Sequence, residues 1–242
     1  MAGDMTASLR SVVAMVEQLA DQGCVDWPRP FQLDAGQRAL VLAPHPDDET
    51  MGCGGLLIQH AAACGVACLT DGRHGDPAVP PETAATVRRG EFLQVMESLS
   101  LTDYKLFDVE DGQLAENLDR FADLDLGEFD YVFLPSPFEQ HPDHLAVTPL
   151  VARLLRQRPY KEQLKLAFYE VWSTLPAPNS FVDLSGLAEA KRQLIATYAS
   201  QVKQIDYPDR IMALNRYRGM VVHRPHAEVY TLVDARTFLR VA

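Results

Sequence analysis

The stretch that most constrains this chain is 39–55, ALVLAPHPDDETMGCGG. Five apolar residues, Ala39, Leu40, Val41, Leu42 and Ala43, stop at Pro44 and give way at once to His45, Asp47, Asp48 and Glu49. The apolar run reads as a buried strand, and the polar residues after it serve no packing purpose. A strand that ends this way fits the carboxyl end of a parallel strand, where open α/β sheets place their ligands. Gly52, Gly54 and Gly55 then predict a tight turn into a helix over 56–63. We read the polar loop as half of a metal site.

The rest of the chain repeats the strand-then-helix pattern. Strands are expected over 66–70, 104–107, 129–134, 164–172 and 181–184. A helix with Phe92, Val95, Met96 and Leu99 on one face follows the proline-rich loop 77–81, and another helix covers 187–204. The tail is mixed, with 229–233 as a possible edge strand. Before the first strand, Leu9, Val12, Val13, Val16 and Leu19 recur at helical spacing, and 26–34 reads as an irregular linker. This alternation predicts an α/β fold: a three-layer α/β/α, Rossmann-like arrangement with a mostly parallel sheet. A length of 242 residues suits a single domain.

Charge and cysteine usage narrow the function class. A formal net charge of −11 argues against non-specific nucleic-acid binding, which needs basic patches. No apolar run approaches the ~18–20 residues that cross a membrane, and the first residues carry no basic leader, so neither spanning nor export is expected. The four cysteines, Cys24, Cys53, Cys64 and Cys68, form no CxxC pair. They fit a reducing cytoplasm as small core residues, with a ligand role for Cys53 the lesser reading.

A second polar cluster, His141–Pro142–Asp143–His144, again follows an apolar strand pattern. His45 and Asp48 are three apart, as are His141 and His144. In a first helical turn such pairs face one way and can converge on one point. Two histidines and one carboxylate form a known catalytic zinc set that leaves a coordination position for water, whose pKa the metal lowers to about 7. A spare carboxylate and a spare imidazole remain for base and acid duties. Spacing alone leaves open which aspartate binds metal and which histidine is free.

The two clusters, with Gly52, Gly54 and Gly55 between them, resemble the motifs of the LmbE-like, or PIG-L, family of zinc-dependent N-deacetylases acting on N-acetylglucosamine-type substrates. The resemblance runs from Arg38 to the C-terminus and divides the chain into an N-terminal helix and linker, 1–37, and a deacetylase domain, 38–242. It implies His45, Asp48 and His144 as ligands of Zn2+, with Fe2+ an alternative. Asp47 becomes the general base. His141 becomes the acid that protonates the departing amine or steadies the oxyanion, and Asp143 holds a histidine in its working orientation. Glu49 caps the turn or orients a ligand. Arg88, in an Arg-x-x-Glu with Glu91, and Asp111, in an Asp-Gly, are implied near the sugar.

Some residues depart from that pattern or stand outside it. Arg73 and His74 occupy positions where an acidic residue is common, and Glu139 a position where some relatives carry an oxyanion-assisting tyrosine. His60, His223 and His226 are isolated. Tyr169 and Trp172 are core residues or sugar platforms, and Arg216 or Arg218 could meet an anionic group.

The expected activity is removal of an acetyl group from an N-acetylated amino sugar or its conjugate, with another sugar-linked amide as the alternative. The partner is then a small molecule, with no nucleic acid or membrane, and a homo-oligomer is compatible. A Rossmann nucleotide-binding protein is disfavoured because Gly52-x-Gly54-Gly55 is not G-x-G-x-x-G and acidic residues would repel a pyrophosphate. A glycosidase using Asp47 and Asp48 is disfavoured because adjacent carboxylates seldom span the ~5–9.5 Å such pairs need. A non-catalytic descendant would usually have lost Asp47 or His141, and both are present.

Overall fold

A computed structural model describes residues 27–240 and 242. The amphipathic pattern at 9–19 and Cys24 lie outside the described residues. Among the described residues eight strands form one mixed sheet: β1 (Arg29–Pro30), β2 (Ala39–Ala43), β3 (Cys64–Thr70), β4 (Tyr104–Val109), β5 (Tyr131–Pro135), β6 (Lys165–Tyr169), β7 (Ser180–Asp183) and β8 (Ala227–Asp234). Their spatial order is β1-β7-β8-β6-β5-β2-β3-β4. Strands β4, β3, β2, β5 and β6 run parallel, while β8 is antiparallel to both β6 and β7. The helices are α1 (Asp48–His60), α2 (Pro81–Ser98), α3 (Pro142–Gln157), α4 (Ala188–Ala196), α5 (Ala199–Val202), α6 (Tyr207–Val221) and α7 (Ala235–Leu239). Among the described residues no helix is long and apolar enough to cross a membrane.

All five residues of β2 are buried, and they alternate between two apolar cores. Leu40 and Leu42 join one with Val147, Leu150 and Val151 of α3 and Phe238 of α7. Ala39 and Val41 join the other with Leu56 of α1, Phe92 of α2, Ile195 of α4 and Ile211 of α6. Apolar packing on both faces explains why the strand reads as a continuous hydrophobic run. From β2 the chain moves to β3 and β4 on one side, then crosses to β5 on the other. The carboxyl ends of β2 and β5 therefore flank a point where the winding reverses, the usual position of a ligand crevice.

Several sequence expectations need correction. Gly52, Gly54 and Gly55 lie inside α1, which starts at Asp48. Close approach demands two of them: a Cβ at Gly52 would come within 2.2 Å of the Tyr169 ring, and one at Gly55 within 2.1 Å of Leu184. Helix α1 breaks at Cys53, where φ is −132°. Buried charges fill the break. Glu228 of β8 accepts from the amides of Gly55 (2.6 Å) and Leu56 (3.2 Å), and Lys191 of α4 donates to the carbonyl of Met51 (2.8 Å). The two side chains pair at 2.6 Å with neither exposed.

Strand β8 is no edge strand, since β6 and β7 flank it. The linker contains β1, paired with β7. The helix expected over 187–204 is interrupted between α4 and α5. Helix α6 was missed because its buried face includes Asn215, Arg218 and Gly219 beside Ile211 and Met212, which hides the apolar period. Its start was legible all the same: Asp206 caps it by accepting from the Asp209 amide, and Pro208 sits in the first turn.

Candidate active site

Both polar clusters stand at the carboxyl ends of their strands, each entering a helix. His45 to Asp47 bridge β2 and α1, with Asp47 in the N-cap position. His141 is the N-cap of α3, its Nδ1 accepting from the Asp143 amide at 3.2 Å, which leaves Nε2 to carry the proton. Asp47 is held at φ +130°, a backbone region L residues seldom adopt. Its carbonyl accepts from the amides of Thr50 and Met51 (3.0 Å each), and its own amide donates to Glu49 Oε2 at 3.1 Å. Arg88 locks the side chain, donating to Asp47 Oδ2 (2.8 Å), Pro46 O (2.5 Å) and Gly72 O (3.0 Å).

The predicted ligands converge on one atom. Asp48 Oδ2 accepts from the His45 amide at 2.9 Å, lies 3.3 Å from His45 Nδ1 and 3.2 Å from His144 Nε2. The rings of His45, His141 and His144 pack together, with donor nitrogens within 4.8 Å of one another. The other nitrogen of His45, Nε2, faces Asp111 Oδ1 at 3.1 Å and Asp143 Oδ2 at 3.2 Å. Asp143 also accepts from the amides of Gly112 (2.7 Å) and Leu114 (3.1 Å), fastening the Asp-Gly loop beneath the histidine.

Charge in this cluster is lopsided. Burial disfavours a charged His45, but Asp111, Asp143 and Asp48 outweigh it and raise its pKa well above the ordinary value. Burial likewise opposes ionisation of Asp48, yet His144 and His45 hold it well below the usual carboxylate range. For Asp47 burial wins, pushing it up to about 7 against the pull of Arg88. Burial, with His45 and His144 nearby, lowers His141 and keeps it neutral at pH 7. Neither ring nitrogen of His144 makes a hydrogen bond, although both are buried. An imidazole with unused nitrogens among surplus carboxylates suits a divalent cation of the zinc or iron type.

The cluster opens into a cleft of about 170 Å³ lined by Asp47, His141, Arg88, Asp111, Trp172 and Tyr207 among others. Trp172 is 53% exposed, with its ring edge-on to Tyr207 at 5.8 Å. Tyr169 is buried and donates to Leu42 O at 2.8 Å, so it is core. His74 and Gly75 also border the cleft, whereas Arg73 turns aside to pair with Asp71 at 2.7 Å. His60, His223 and His226 line no part of it. Cys53 is buried, and burial pushes its thiol up, away from a ligating thiolate. Arg218 is committed to a buried pair with Glu170. Glu91 of the Arg-x-x-Glu accepts from the Ser200 amide (2.7 Å) and hydroxyl (2.6 Å), and so clamps α5.

The comparison with known proteins follows the same residues. The family described as PIG-L: GlcNAc-PI de-N-acetylase matches residues 40–155, which contain both polar clusters. Residues 40–155 form a PIG-L family domain. A curated relative, the 1D-myo-inositol 2-acetamido-2-deoxy-alpha-D-glucopyranoside deacetylase of Kineococcus radiotolerans, is 36% identical over 91 residues. That match covers 34% of this chain and a quarter of the relative. The chain superposes on the N,N'-diacetylchitobiose deacetylase of Pyrococcus horikoshii with a TM-score of 0.70 at 23% identity, covering 92% of each chain. It also superposes on GalB, the 4-carboxy-2-hydroxymuconate hydratase of Pseudomonas putida, with a TM-score of 0.62 at 19% identity, covering 81% of this chain and 96% of that one. The fold is thus a mixed α/β sheet with helices that these enzymes share. One scaffold serving both a deacetylase and a hydratase leaves chemistry to the side chains.

Sequence reasoning singled out Glu139 only as a departure from the family pattern and missed the Lys191–Glu228 pair altogether. Glu139 contacts the loop that carries Trp172, and the Lys191–Glu228 pair mends α1 around Cys53. The backbone amides that the two glutamates hold lie 32 to 173 residues away, so no local pattern announces them.

Proposed function

We propose that this protein is a zinc-dependent amidohydrolase that removes the acetyl group from an N-acetylglucosamine-type amino sugar or its conjugate. The observation that carries the reading is the buried His45–Asp48–His144 cluster, with unused His144 nitrogens, beside a cleft that presents Asp47 and His141. In this reading His45, Asp48 and His144 hold the cation, while Asp111 and Asp143 orient His45 from behind. The chemistry such a cation supplies is polarisation of the amide carbonyl and a water with a pKa near 7. Asp47, fixed by Arg88, takes the proton from the attacking water. The Nε2–H of His141 donates a hydrogen bond to the oxyanion, and the proton that Asp47 has taken from water passes to the departing amine, so acetate and a free amino sugar leave. Arg88 and Asp111 stand at the cleft wall where sugar hydroxyls would lie, and Trp172 offers an aromatic face to a ring.

The finer parts of the reading have their own support. A three-layer, Rossmann-like arrangement is supported by apolar cores on both faces of the sheet. Residues 38–242 are taken as the catalytic domain, after an N-terminal segment of 1–37. A cytoplasmic site of action is supported by free, buried Cys53, Cys64 and Cys68.

Metal analysis combined with an acetate-release assay tests the proposal. Purified protein should hold about one zinc or iron per chain, release acetate from at least one N-acetyl amino sugar, and lose turnover on chelation. Undiminished acetate release from metal-free protein would refute the mechanism. Turnover of an unsaturated acid with no acetate release from any N-acetyl sugar would move it to the hydratase-like reading.

A further inference from the structure

Glu139 lies in the loop between β5 and α3 and is 4% exposed. Its two carboxylate oxygens face different elements. Oε1 accepts from three consecutive backbone amides, Val171 (3.4 Å), Trp172 (3.1 Å) and Ser173 (3.3 Å). Oε2 is buried without a hydrogen-bond partner and lies 3.8 Å from Nδ1 of His144. That nitrogen is itself buried and unpartnered. The opposite nitrogen of the same ring, Nε2, points to Asp48 at 3.2 Å. One imidazole therefore stands between two carboxylates, with its Nε2 toward the cation cluster and its Nδ1 toward Glu139.

An imidazole ligates a metal only through an unprotonated nitrogen, and which nitrogen that is depends on what the other one meets. A carboxylate at Nδ1 keeps the proton there, frees the Nε2 lone pair, and makes the ring a stronger donor. Leaving a carboxylate oxygen and an imidazole nitrogen buried and unsatisfied is costly unless they satisfy each other. The three amides on Oε1 fix the carboxylate, so closing the remaining gap of under an ångström needs only a small shift of the ring.

We propose that Glu139 is a positioning residue that sets the Nδ1–H tautomer of His144 for cation binding and, with its other oxygen, anchors the Trp172 loop at the cleft. This rests on the reading of His144 as a ligand. It gives the departure at Glu139 a role distinct from oxyanion stabilisation: the side chain addresses the back of the metal site and not the substrate.

Zinc affinity of Glu139→Gln, measured by competition with a chromophoric chelator, tests this directly. Glutamine still offers an oxygen to the three amides but loses the acceptor at Nδ1. Zinc should bind about 10–100-fold more weakly, while Trp172 emission and the KM for an acetylated amino sugar stay within about twofold. Nitrogen-15 spectra of zinc-loaded wild-type protein should show His144 as the Nδ1–H tautomer, a readout that needs no variant. Wild-type zinc affinity in Glu139→Gln, or an Nε2–H tautomer in the native protein, overturns the proposal. His144→Ala serves as the control. If it loses zinc and Glu139→Gln does not, only the positioning role fails; if it keeps zinc, the ligand assignment fails and takes this inference with it.

Discussion

Asp47 combines two properties that rarely coincide, a left-handed backbone and a buried carboxylate held by an arginine. Strain of this kind persists only where the surroundings enforce it, and here they do so through Arg88, Glu49 and the first turn of α1. Asp47→Asn preserves the backbone and leaves Asp48, His45 and His144 in place. It should therefore keep its metal content while kcat falls by two orders of magnitude or more. A variant with near-native kcat would move the base to another residue. The motif residues were legible because each follows directly on a strand, so sequence neighbours are also neighbours in space. What Arg88 does was less so: its place in a helix suggests a solvated charge or a sugar contact, and only the fold reveals that it fastens Asp47.

At the scale of elements, α1 is two short helical pieces joined across Cys53, with a lysine from α4 and a glutamate from β8 supplying the missing backbone partners. Removing one member of a buried pair strands the other, at a cost of about 3–5 kcal/mol. Lys191→Met should lower unfolding stability by that order in urea titration. Adding Glu228→Gln should cost less than the sum of the two single changes, because the charge left behind is gone. Strict additivity would show that the pair does not couple. Elements with a continuous apolar code, such as β2 and β3, could be read directly. Helix α6 could not, because Arg218 and Asn215 occupy its buried face and the partner of Arg218, Glu170, belongs to a distant loop. Strand β8 was recognised as a strand but misplaced, since apolar content does not reveal whether a strand has one neighbour or two.

For the whole molecule, the parallel half of the sheet brings the two motif loops together across a reversal in winding, and the C-terminal third closes the sheet and walls the cleft. The alternating pattern conveyed that architecture, although the antiparallel insertion of β8 left no local trace. The mended break in α1 bears on what part of this chain can stand alone. Residues 38–160 hold every group assigned to catalysis, yet the amides of Gly55 and Leu56 and the carbonyl of Met51 are held by side chains at positions 228 and 191. Expressed separately, that piece should give a poorly dispersed amide spectrum and no cooperative melting transition. A gene fusion that kept the recognisable front portion and exchanged the remainder would inherit the proposed ligands without the means to seat them, unless the incoming segment carried its own acid and base for the same gap.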